Sequence, residues 1–196
     1  MKRKLFIAMI AILVASVGFL IVSKYVNVNP FRSVGEPLDT FNNVAVYYNG
    51  AVSNVEKRNV TKDGYNLGLQ YQCVEFVKRY YYEHLKHKMP NSYGHAKDFF
   101  DPTVKDGKRN TQRNLLQFTN ASSTKPKVND IVVFRASWYN SFGHVAIVME
   151  VTQNTVTIIQ QNAGPFSNSR VTYDLLQEND RWKIDASNIV GWLRKE

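Results

Sequence analysis

The sequence holds one cysteine, Cys73, inside the stretch GLQYQCVEFVKRYYYEHL at residues 68–85. A thiol becomes a nucleophile when its thiolate is stabilised and a base stands beside it. Phe76, Val77, Tyr80, His84 and Leu85 follow Cys73 at helical spacing, so the cysteine shares one face with this stripe, in a helix that Pro90 ends. At the mouth of that helix the sulfur meets the positive end of the backbone dipole, which favours thiolate. Cysteine is also among the most buried residue types. On this stretch alone Cys73 is open to two readings, nucleophile and small core residue.

Partners for a nucleophile occur downstream. DIVVF (130–134), GHVAIVMEV (143–151), TVTIIQQN (155–162) and IVGW (189–192) are rich in β-branched residues and read as strands. Only TQN separates the second from the third, which is hairpin spacing. A three-residue loop there sets His144 across from Asn162 and Ala146 across from Gln160. His144, Gln160 and Asn162 then point to one side, and Gln161 to the other. An imidazole near the thiol takes its proton, and a third polar group fixes the tautomer of the ring. Gln160 and Asn162 are of the right type for that third role. The Cys73 backbone N–H, unpaired at the start of a helix, is able to stabilise an oxyanion. His144 at the head of an apolar strand reads equally as a hydrogen-bonded core residue.

The elements that must position these groups form one domain with an appendage. The chain has 196 residues, 44% hydrophobic and 21% charged, an ordinary globular balance. Lys2, Arg3 and Lys4 precede eighteen uncharged residues, LFIAMIAILVASVGFLIV, at 5–22. That length approaches the ~30 Å bilayer core at ~1.5 Å per residue, and the leading positive charges predict export of the residues beyond it. The run is long for a cleaved signal, and Ser16-Val17-Gly18 is a poor cleavage site because apolar residues continue beyond it. The expectation is a signal anchor over 1–24, a tether over 25–45 rich in Asn, Pro and Gly, and a domain over 46–196. The domain is placed outside a single-pass cell membrane protein, the alternative being secretion after cleavage. AKDFF and RNLLQF read as short helices, so helices precede antiparallel strands and the fold class is α+β.

With one cysteine no intramolecular disulfide forms, and an unpaired thiol in an exported protein is a candidate for reactivity. The net charge is +9; Lys2, Arg3, Lys4 and Lys24 flank the apolar run and leave +5 elsewhere. The charge is spread out, which suits solubility or an anionic cell surface, and no nucleic-acid motif accompanies it. His84 and His87 lack a further ligand set for a metal. Tyr80 falls on the core stripe, and Trp138 in the ASWYNSF loop is a candidate pocket wall.

YQCVEFVKRYY, PKVNDIVVF, FGHVAIVMEV, VTIIQQN and IVGWL, in that order, resemble the cysteine, histidine-dependent amidohydrolase/peptidase (CHAP) family. The subtype they resemble is the amidase domain of glutathionylspermidine synthetase/amidase. The likeness runs from about residue 46 to 193. It implies a papain-like (CHAP/NlpC-type) α+β domain and amide hydrolysis through a thioester, with no metal or organic cofactor. Carried over by residue, it implies Cys73 as nucleophile, His144 as base, and Gln72 with the Cys73 N–H as oxyanion hole. Gln160 stands where the family has glutamate in an E-x-N element, and Asn162 matches the asparagine. A glutamine holds the imidazole but supplies no negative charge to an imidazolium. Lys78 stands where the subtype has a substrate-binding arginine and lacks the bidentate fork. Export and charge point to peptidoglycan peptides as substrate. The alternatives are glutathionylspermidine-like conjugates, and a wall-binding protein of the same fold without turnover.

Overall fold

The computed structural model describes residues 2–196. At its N-terminus α1 (Lys2–Ser23) is apolar on every face and, up to Val22, packs against nothing in the protein. Such a helix requires an apolar surrounding. Chain order then runs β1 (Pro37–Phe41), β2 (Val44–Tyr47), β3 (Arg58–Val60), β4 (Asn66–Leu69) and α2 (Cys73–Glu83). A 3-10 turn at Ala96–Phe99 leads into β5 (Lys108–Asn110), β6 (Leu115–Thr119) and β7 (Ile131–Phe134). The chain closes with β8 (His144–Val151), β9 (Thr155–Ile159), β10 (Arg170–Glu178), β11 (Arg181–Ile184) and β12 (Ile189–Arg194). Eight of these strands form one antiparallel sheet in the order β11-β10-β9-β8-β7-β12-β6-β5. This is the papain-like α+β arrangement, with α2 laid on the sheet.

The alternation of side chains along β7, β8 and β9 builds two cores. Ile131, Val133, Val145, Ile147 and Ile159 face α2, where Phe76, Val77, Tyr80 and Tyr81 meet them. Val132, Phe134, Ala146, Val148, Val156 and Ile158 face the other way, onto Leu175, Ile184 and Trp192. Both faces of the central strands are therefore dry, which is why IVVF and HVAIV read as unbroken apolar runs.

Four departures from the sequence reading have physical causes. Residues 37–45, assigned to the tether, hold most of the β1–β2 hairpin, whose Val44 and Val46 are buried. Its turn is Asn42-Asn43, both with positive φ, so asparagines that suggest a linker serve a tight hairpin. Residues 25–36 are also tied down: Gly35 N–H donates to Tyr48 O, and the Asn29 amide donates to Pro165 O. RNLLQF contributes β6 rather than a helix, because a short apolar run takes the conformation its sheet neighbours impose. Strands β10 and β11 lie in a stretch given no element, and they cover the second core.

The β8–β9 hairpin shows two offsetting differences. Val151 pairs with Val156, so its loop is four residues rather than three. A bulge between Val148 and Glu150 then restores the expected register, and Ile147 meets Ile159.

Buried charge joins α2 to the rest. Glu75 accepts from buried Arg79 Nε at 2.7 Å and buried Gln161 Nε2 at 3.0 Å, and from half-buried Asn59 Nδ2 at 2.8 Å. Removing one partner of a buried pair leaves the other charge uncompensated. Glu75→Ala should cost about 3–5 kcal/mol. Thermal unfolding in detergent micelles checks this as a lowered Tm; an unchanged Tm would show that the pair contributes nothing.

Candidate active site

Cys73 opens α2 after Gln72, which is extended (φ −75, ψ 158) and makes no side-chain cap. The first-turn N–H groups thus have no acceptor inside the helix. Those of Cys73 and Val74 face the Cys73 sulfur, as does the N–H of Val145 from β8. Cys73 is 5% exposed. The fold has brought the thiol to the residue next after His144, across a gap of seventy-one positions in sequence.

His144 begins β8 immediately after Gly143, whose φ is +76. A Cβ at Gly143 would lie 2.8 Å from Phe134 O and 3.0 Å from the Lys97 backbone nitrogen, so only glycine fits there. The His144 ring rests on Phe134 at 5.4 Å between centroids. Its Nε2 is 2.9 Å from Gln160 Oε1. Gln160 Nε2 donates to Asn168 O at 3.0 Å, which turns the amide oxygen toward the imidazole. Nε2 is therefore the protonated nitrogen, and the Nδ1 lone pair is free to accept a proton. The Asn168–Ser169 segment is held in turn: Asp39 accepts from Arg170 and Ser169, and Arg170 holds the Asp39 carboxyl down at about 2.

Gln161 points the opposite way from Gln160. Its Oε1 accepts from Tyr47 N–H at 2.8 Å, and its Nε2 donates to Gln72 O and to Glu75. Asn162 (φ 58) donates to Gln72 Oε1 at 2.7 Å and to Val52 O at 3.0 Å. It positions Gln72 rather than facing the cleft. The Gln72 Nε2 protons go to the carbonyls of Val52 and Asn54.

A cleft of about 550 Å³ opens above Cys73, walled by Gln72, Val52, Tyr93, Tyr139 and Phe142. Among the described residues its walls carry Lys24 and Arg58 and no carboxylate. Lys78 is not on that wall. It lies beneath it, 1% exposed, donating to the carbonyls of Asn66 and Ser92, and burial brings its ammonium down to about 7. Trp138 stands 70% exposed beside the cleft loop rather than inside the cleft. His87 is buried against Arg113 O, and His84 reaches Asn42. Arg58, Asn168 and Gln161 are site residues that the motifs alone do not single out. Strand alternation is the one signal for Gln161, since it points that side chain away from Gln160 and toward the cysteine helix.

The electrostatics differ from the expected thiolate. Burial pushes the Cys73 thiol up to about 11, against the pull of the three N–H groups. Enclosure drives His144 down to about 4, and the bond to Gln160 opposes it only in part. A helix dipole is worth about 0.3–1 kcal/mol, too little to offset desolvation of a nearly enclosed sulfur. At pH 7 the resting pair is a neutral thiol and a neutral imidazole. Alkylation of Cys73 by iodoacetamide in the substrate-free protein should therefore rise with pH to a midpoint above the ~8.5 of a free thiol. A midpoint below 7 would establish a preformed thiolate–imidazolium pair instead.

Comparison with known proteins places the chain. The CHAP domain matches residues 61–162, just over half of its length. Glutathionylspermidine synthase of Crithidia fasciculata is 30% identical over 159 residues, 72% of this chain and 21% of that protein. Trypanothione synthetase of the same organism is 30% identical over 95 residues, 48% of this chain and 15% of that protein. The chain thus spans about a fifth or less of these relatives. Among solved structures, the crystal structure of Ly7917 and that of Ly7917 with the hydrolyzing product of MDP share 26% identity with it. They cover 38% of this chain and 30% of theirs, with TM-scores of 0.26 and 0.27. On the domain match, the chain belongs to the CHAP family.

Proposed function

We propose that the protein cleaves amide bonds of peptidoglycan peptides at the cell envelope, with Cys73 as nucleophile and His144 as base. The observation that carries this reading is the chain from Asn168 O through Gln160 to His144 Nε2, which leaves Nδ1 unprotonated on the residue just before Val145, whose N–H faces the helix-end thiol. His144 Nδ1 takes the Cys73 proton as sulfur attacks the substrate carbonyl carbon. The oxyanion receives the Cys73 N–H, joined by Gln72 once its Nε2 protons leave the carbonyls of Val52 and Asn54. Val52 and Ser53 line the cleft, so an entering substrate competes for that loop. His144 then gives its proton to the departing amine, leaving a thioester, which a water activated by His144 hydrolyses to the acid and free thiol.

Peptide substrates bearing carboxylates suit a cleft whose charges are Lys24 and Arg58. The likeness to glutathionylspermidine synthase supports a second reading, an amidase on peptide–polyamine conjugates. The cationic polyamine meets no carboxylate in these walls, which favours the first. An uncleaved α1 holds the domain at the outer face of the cell membrane, in keeping with its leading positive charges.

Incubating the detergent-solubilised full chain with purified wall fragments, and separately with a peptide–polyamine conjugate, tests the choice by mass spectrometry. Release of wall peptides, abolished by Cys73→Ala, is expected. Cleavage of the conjugate alone would overturn the wall assignment, and activity retained in Cys73→Ala would overturn the nucleophile. Gln160→Glu places a negative charge on His144 Nε2–H and favours the imidazolium. The acid limb of the kcat/KM profile, set by a histidine near 4, should move up by about one unit or more. An unmoved limb would remove Gln160 from its orienting role.

A further inference from the structure

Helix α1 has 22 residues, or ~33 Å at ~1.5 Å per residue, against a bilayer core of ~30 Å. Its last residue, Ser23, therefore lies where hydrocarbon gives way to headgroups. The loop at 138–142 is bonded to this same point. Tyr139 Oη is 2.9 Å from Ser23 Oγ, and Lys24 Nζ donates to Trp138 O at 3.3 Å. Ser53 N–H donates to Lys24 O at 2.8 Å, which ties the opposite wall of the cleft to the helix end as well.

The side chains around this junction are large, apolar and uncovered. Trp138 is 70% exposed, Tyr25 63% and Phe142 45%. Tyr25, Tyr139 and Phe142 share the cleft wall, and the Trp138 and Tyr139 rings touch edge to face. Exposed apolar groups that gather in one place mark an interaction surface. Tryptophan and tyrosine at the end of a spanning helix match the composition of the membrane–water boundary. Lys24 stands within the group, and Lys97 donates to Ser141 O at 3.2 Å, so the patch is rimmed by cations that suit anionic headgroups.

We propose that the 138–142 loop and Tyr25 rest in the headgroup layer of the bilayer that α1 spans, and present the mouth of the cleft to the membrane surface. This rests on the reading of α1 as an uncleaved anchor. The covalent link and the two hydrogen bonds at Ser23 and Lys24 keep the loop within a few ångströms of the helix end, so the bilayer is the surface this patch meets. The amides that reach Cys73 are then those held close to the membrane.

The test uses the full chain in vesicles of phosphatidylglycerol and phosphatidylcholine brominated near the headgroup end of one acyl chain. The protein has three tryptophans; Trp192 is fully buried, and Trp182 packs under Lys125. Brominated lipid should quench a component of tryptophan emission in the wild type that is missing from Trp138→Phe. Equal fractional quenching in both proteins, or none in either, overturns the docking surface. The intact mass of protein extracted from the producing cell's membrane is measured first. Loss of residues 2–23 overturns the anchor, whereas an intact chain with unquenched Trp138 overturns the docking surface alone.

Discussion

The amide of Gln161 is hydrogen-bonded to two separate pieces of chain, and the active site depends on that junction. It accepts from Tyr47 of β2 and donates to Gln72 O and Glu75 at the start of α2. Because the group is buried, each lost bond leaves an unsatisfied polar atom, at a cost of about 1–3 kcal/mol. The next residue back, Gln160, faces the other side and holds His144. Two adjacent glutamines thus divide the work by strand alternation. One fixes the helix that carries the thiol, and the other fixes the His144 ring.

The resting site sets burial against dipole, and burial prevails. The helix end, the Val145 N–H and the sulfur's own N–H all favour thiolate, yet enclosure keeps the thiol protonated. The same enclosure keeps His144 neutral, and Gln160 has no charge with which to reverse it. In the proposed mechanism, proton transfer from sulfur to Nδ1 is then coupled to substrate attack, when the developing oxyanion supplies the reason to separate charge. A glutamate at that place would lower the cost of the imidazolium. Gln160 keeps the tautomer without that help.

The apolar helix α1 is continuous with the site. Residues 25–36 are bonded to the domain, and Lys24 and Tyr25 form part of the cleft wall. The segment that connects α1 to the domain therefore shapes the space above Cys73. Its Asn and Pro content, read as a flexible tether, supplies turns and side-chain bonds such as Tyr48 Oη to Asn27 Oδ1.

Local sequence determined the apolar helix, the cysteine helix and the central strands. Each is set by periodicity or run length, which burial imposes directly on the chain. It also marked Cys73, His144 and Gln160 as chemically able groups, and alternation set Gln161 apart from Gln160. Tertiary structure decided what depends on distant neighbours. It decided that RNLLQF is a strand, because β5 and β12 flank it, and that a bulge near Met149 offsets a longer loop. It put Lys78 under the cleft rather than on it, and Asn162 on Gln72. It raised the thiol and lowered the imidazole, since desolvation is a property of the packed surroundings and no spacing of residues encodes it.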